Sequence, residues 1–65
     1  MRIRLNGAGR DTSADTIAKL LEELRLPPQT VLVERNAQPV TRDQWPGTPI
    51  CENDSLEILR VSAGG

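Results

Sequence analysis

Pro27-Pro28 closes the one stretch of this chain that carries helical periodicity. Just before it, Ile17, Leu20, Leu21 and Leu24 fall at i, i+3, i+4 and i+7, the apolar stripe of a helix laid against a core. Proline has no N–H to donate, and its ring bars the residue before it from helical geometry, so the helix must end around Arg25. On both sides the period is two. Met1-Arg2-Ile3-Arg4-Leu5 alternates apolar and charged residues, and Val31 and Val33 point the same way within Thr30 to Asn36. A single helix of about three turns between two sets of strands has to bury its stripe on one face of a sheet.

Composition narrows what fills that interface. The 65 residues hold no Phe or Tyr and a single Trp45, so the core is aliphatic, and the length suffices for one domain. Asn6-Gly7 marks a tight reversal, and a short second strand is expected near Arg10 to Thr12. Asp15 is the expected helix cap, and Lys19 and Glu23 can pair one turn apart. Ala37-Gln38 reads as a turn into a brief edge strand over Gln38-Pro39-Val40, where a proline is tolerated. Thr41 to Asp54 reads as a long loop in which Trp45 is an anchor, Ile50 dips into the core and Cys51 is a small loop or core residue. Arg42 and Asp43 are expected in solvent. Asn53-Asp54 turns the chain into a last strand from Leu56 to Ser62. The expectation is an α+β fold of the β-grasp kind. In it a mixed four- to five-stranded sheet packs on one helix, with the first and last strands parallel neighbours. Residues 1–62 form the domain and 63–65 a flexible tail.

Parity on the last strand singles out two residues. If Leu56 and Ile58 join Ile3, Leu5, Val31, Val33 and the helix leucines, then Leu59 and Val61 face outward. A row of exposed aliphatics beside a free tail suits a docking patch, and Arg2 and Arg4 are expected to surround it with positive charge.

Several function classes lack their residues. With no His there is neither the commonest general base nor the commonest zinc ligand. A lone Cys51 is a poor nucleophile and forms no internal disulfide. The acidic residues show no metal-ligand spacing, and no glycine-rich loop precedes a Lys-Ser/Thr pair to hold a nucleotide. There is no basic stripe or aromatic platform for nucleic acid, no apolar run long enough for a membrane and no signal-peptide layout. The chain is expected to be cytoplasmic, not an enzyme, and to bind no cofactor or metal of its own.

What remains is the end, Ala63-Gly64-Gly65. A terminal carboxylate is an anion at neutral pH and a poor electrophile. Adenylation from ATP gives it a leaving group, and a sulfur nucleophile can then displace AMP to leave a thiocarboxylate. Glycine, without a Cβ, suits threading such a tail through a narrow tunnel. Gly65 would carry the reactive group and Gly64 would give access. A Gly pair can also be an inert end.

The whole chain resembles the ThiS family, the thiamine-pathway sulfur carriers of the ubiquitin-related β-grasp group. The likeness is carried by Asn6-Gly7, Thr16-Ile17-Ala18-Lys19-Leu20-Leu21, Val31-Leu32-Val33-Glu34-Arg35-Asn36, Val40-Thr41-Arg42-Asp43-Gln44-Trp45, and the ending Leu56 to Gly65. Departures are Asn53-Asp54 in place of the family's Gly-Asp, Pro39 at an aliphatic position, and Pro49 and Cys51 in the loop. The resemblance implies that a ThiF-type adenylyltransferase activates Gly65 with ATP. A cysteine desulfurase, directly or through a persulfide relay, supplies sulfur, and thiazole synthase takes it from the carrier. The same tail chemistry would serve a carrier for molybdopterin, cysteine or a secondary metabolite. A ubiquitin-like modifier and a β-grasp binding module with an inert tail stand as further alternatives.

Overall fold

The computed structural model describes residues 1–61. In chain order the elements are β1 (Arg2–Leu5), β2 (Ala8–Asp11), α1 (Ile17–Glu23), β3 (Val31–Arg35), β4 (Gln38–Val40) and β5 (Ser55–Arg60). Short 3-10 turns lie at Pro28–Thr30 and Arg42–Gly47. The sheet has five strands in the order β2-β1-β5-β3-β4. β5 runs parallel to β1 and antiparallel to β3, so the first and last strands are parallel neighbours as the pattern predicts. This is the β-grasp arrangement.

The helix is shorter than the expected three turns: its seven residues start one later than expected and stop at Glu23, because Arg25 turns left-handed at φ 57°. Thr16 rather than Asp15 is the cap, its hydroxyl accepting from the Lys19 N–H at 3.2 Å. Thr16 is extended and bridges Pro49, while the Ile17 N–H reaches the Thr48 carbonyl, so contact with the long loop sets the start. Lys19 lies 4.0 Å from Asp15 rather than pairing with Glu23, which Arg10 and Thr12 hold instead. The second strand begins two residues before Arg10 and stops at Asp11. The second hairpin turns at Asn36-Ala37, with Gln38 already paired to Arg35.

Ile3, Ile17, Leu20 and Leu56 are fully buried, joined by Leu21, Val31, Val33 and Ile50. Each such aliphatic side chain contributes about 1.5–3 kcal/mol relative to exposure. Leu5 packs at the margin. Trp45 is buried as the loop's anchor: its indole N–H donates to the Val40 carbonyl at 2.9 Å, and Thr41 and Gln44 form a capping box around the turn that carries it. Among the described residues no helix is long and apolar enough to cross a membrane.

Candidate functional site

β5 is the strand that leads to Val61, the last described residue. It lies at the centre of the sheet, and its outward direction is fixed from both sides. On the β1 side, the Asn6 amide makes a reciprocal pair with Ile58, accepting from its N–H at 2.7 Å and donating to its carbonyl at 3.2 Å. On the β3 side, the ladder continues past the strand, the Val61 N–H donating to the Thr30 carbonyl at 2.8 Å. Ser62, Ala63, Gly64 and Gly65 lie outside the described residues, so the sites expected at Gly64 and Gly65, and the boundary at residue 62, do too.

The parity expected for β5 holds. Leu56 and Ile58 are buried, whereas Leu59 is 60% and Val61 40% exposed. Leu32 is 58% exposed on the same face, directly opposite Leu59 in the β3–β5 register, and reading the sequence did not single it out. Its signal was the alternation Val31-Leu32-Val33, which puts a leucine outward once both valines are inward. The ladder that joins it to Leu59 is not visible in the chain order.

The positive surround expected from Arg2 and Arg4 is displaced from this patch. Arg2 pairs with Asp11 at 3.1 Å, and Arg4 donates to the Gly7 carbonyl at 2.9 Å, both toward the β1–β2 hairpin. The charged neighbours of Leu32 and Leu59 are Glu34 and Glu57, themselves directly opposite each other. A groove of about 460 Å³ runs beside them, walled also by Pro39, Val40 and Arg42. Arg42 and Asp43 are exposed, as expected.

Behind the sheet's other end, Asp54 organises the turn into β5. The carboxylate accepts from Arg35 Nε at 2.8 Å, from Asn36 Nδ2 at 3.1 Å and from the Cys51 N–H at 2.8 Å. Burial pushes its pKa up, but the Cys51 N–H, the Arg35 guanidinium and the Asn36 amide outweigh that and hold it below the usual carboxylate value. Cys51 is exposed rather than a core residue, with Sγ 3.7 Å from Arg35 Nη2. This knot positions β5; it presents no nucleophile–base pair. Among the described residues, what the sheet offers chemically is a surface to hold, on the strand that leads to Val61.

Comparison with known proteins places this geometry. The ThiS family model matches residues 3–65. The sulfur carrier protein ThiS of Bacillus subtilis is 31% identical over 65 residues, covering 97% of this chain and 98% of that one. The thiazole synthase of Paramagnetospirillum magneticum is 35% identical over 66 residues; the chain is covered in full but spans only 20% of that protein's length. The crystal structure of the thiamine biosynthesis protein ThiS from Geobacter metallireducens superposes with a TM-score of 0.84 at 26% identity, each chain covered in full. With a match that runs nearly end to end and a shared β-grasp sheet, the chain belongs to the ThiS family.

Proposed function

We propose that this chain is a sulfur carrier of thiamine biosynthesis, a protein substrate rather than an enzyme. The observation that carries the reading is that the family match extends through residue 65 and so takes in Gly64-Gly65. In this reading the Gly65 carboxylate attacks the α-phosphorus of ATP on a ThiF-type partner and pyrophosphate leaves. A persulfide sulfur, drawn from a cysteine desulfurase or a relay, attacks the acyl-adenylate and AMP departs. A thiol then cleaves the S–S bond, becoming a disulfide and releasing the Gly65 thiocarboxylate. ATP belongs to the partner's site. Gly64 keeps the approach narrow, and Leu59 and Val61 give partner enzymes a surface to hold.

Thiazole formation is favoured over other sulfur pathways by one finding: segments of thiazole synthases from Paramagnetospirillum magneticum and Magnetococcus marinus are each 35% identical to the chain. Thiazole synthase is accordingly the proposed acceptor. The test is intact mass after incubation with ATP, the adenylating enzyme and a sulfur donor. Replacement of one oxygen by sulfur is expected on the terminal residue. No mass change with a partner that thiolates another ThiS, or full activity after deletion of Gly65, overturns the proposal.

A further inference from the structure

The outer face of β3 and β5 carries a two-by-two array. Leu32 stands opposite Leu59, and on the same face Glu34 stands opposite Glu57. All four side chains are exposed. Residues directly opposite in an antiparallel pair hold their Cβ atoms about 4.5–5.5 Å apart, and like charges placed there repel. The repulsion is left uncompensated. The ion pairs among the described residues are Arg2–Asp11, Arg10–Glu23, Lys19–Asp15 and Arg35–Asp54, and none includes Glu34 or Glu57.

The basic residues that could answer it are engaged or turned elsewhere. Arg4, on the neighbouring strand, donates to Gly7. Arg35 lies on the inner side with Asp54. Arg60 follows the parity of Leu56 and Ile58 and lines a hollow with Leu24 and Leu26. Arg42 walls the same groove as the two glutamates without coming within ion-pair distance of either. Beside the array, Pro39 takes an N–H away from the edge strand β4, which is only three residues long. The face is therefore better suited to receiving side chains than an added strand.

We propose that this array is the recognition surface for the adenylating partner, and that the partner brings a cationic side chain, best an arginine, onto it. An arginine laid along the face covers Leu32 and Leu59 with its aliphatic stem and sets its guanidinium between the two carboxylates, where a planar fork can bond both. The carrier thus keeps a small internal repulsion that only a complementary partner relieves. The inference rests on the carrier reading and adds what selects the partner.

Calorimetric titration of the full chain into the adenylating enzyme, at about 0.05 and about 0.5 M salt, tests it. The Glu34→Gln/Glu57→Gln variant is expected to bind roughly 3–30-fold more weakly at low salt, with most of the difference gone at high salt. Its Tm should rise by roughly 2–4 °C as the repulsion is removed, so weaker binding cannot be ascribed to misfolding. Asp15→Asn/Glu22→Gln, which changes net charge equally at exposed positions on the helix side, should leave affinity unchanged. Equal binding by the Glu34→Gln/Glu57→Gln variant overturns the inference, as does an equal loss from Asp15→Asn/Glu22→Gln. A salt-sensitive dimer of the free chain that buries the same four residues also overturns it. Thiolation read by mass on the same samples is independent: its failure in the wild-type chain sinks the carrier reading while the binding difference still decides this one.

Discussion

The hairpins β1–β2 and β3–β4 flank β5 as near counterparts. Each turns through two residues at positive φ, Asn6 and Gly7 at 51° and 84°, Asn36 and Ala37 at 51° and 69°. That is the geometry whose twist matches paired strands. Each asparagine also reaches β5, Asn6 through both amide groups to Ile58 and Asn36 by accepting from the Ser55 N–H at 2.9 Å. The outer faces differ. On the β1–β2 side Arg2 and Asp11 neutralise one another, and the Arg2 guanidinium lies so close over Gly9 that a Cβ there would sit 2.6 Å from it. On the β3–β5 side two glutamates face each other beside two exposed leucines. One support device is used twice, but only one flank has its surface chemistry completed within the chain. The uncompensated flank is where a partner has something to gain.

The strongest way to break the comparison is through the anchor that only the β3 flank possesses. Asp54→Ala removes the carboxylate that answers Arg35, Asn36 and the Cys51 N–H. Asp54 is buried and the Arg35 side chain only 29% exposed, so a guanidinium and a backbone donor lose their partner together. A loss of about 3 kcal/mol in urea unfolding is expected, a large share of the stability of so small a domain. Asn6→Ala, which breaks the corresponding hold on the β1 side, should lose about 2 kcal/mol. Equal losses would mean that the two flanks are held alike and that the ion pair adds nothing.

Acid should weaken both flanks by a smaller amount, for parallel reasons. Glu23 ties α1 to β2, and hydrogen bonds from Arg10 and Thr12 hold its pKa below the usual value; Asp54 is lowered on the other flank. Unfolded carboxylates titrate near pH 4, above both folded values. The stabilisation is therefore complete above that range and is lost as pH falls through the folded pKa values. The urea midpoint should stay level from pH 7 to about 5 and drop below about 4. Glu23→Gln and Asp54→Asn should each flatten part of that drop. If either variant keeps the whole slope, the carboxylate it replaces is not part of it.

Much of this was legible because the period of the sequence is honest where burial decides it. Pro27-Pro28 gave the helix end to within two residues, although Arg25 at φ 57° is what stops it, after Glu23. The parity of Leu56 and Ile58 against Leu59 and Val61 gave both the core and the exposed row. What escaped depended on register. Leu32 and the Glu34–Glu57 pair acquire meaning only once β3 is aligned with β5, and Arg4 leaves the patch because it falls opposite Ser55. Thr16 over Asp15 is a similar case. Either side chain can cap, and the bridge from Thr16 to Pro49, far along the chain, decides. The turn at Asn36-Ala37 was displaced by one residue because alanine carries no signal for the positive φ it adopts there.

That alanine gives the finest test of how alike the hairpins are. Ala37 has φ 69°, where a Cβ crowds the backbone at a cost of roughly 1–2 kcal/mol, whereas Gly7 occupies the equivalent place without one. Ala37→Gly removes the crowding but frees the unfolded chain, so a net gain of about 0.5–1 kcal/mol is expected in thermal melts. Gly7→Ala should lose a similar amount, and through the backbone alone, since a Cβ there would meet no atom within 4 Å. Because the two turns lie on opposite sides of β5, the double exchange should come out close to neutral. A clear loss on Ala37→Gly would show that the Ala37 methyl contributes more by contact than its conformation costs, and the two turns would then be alike in shape but not in what holds them.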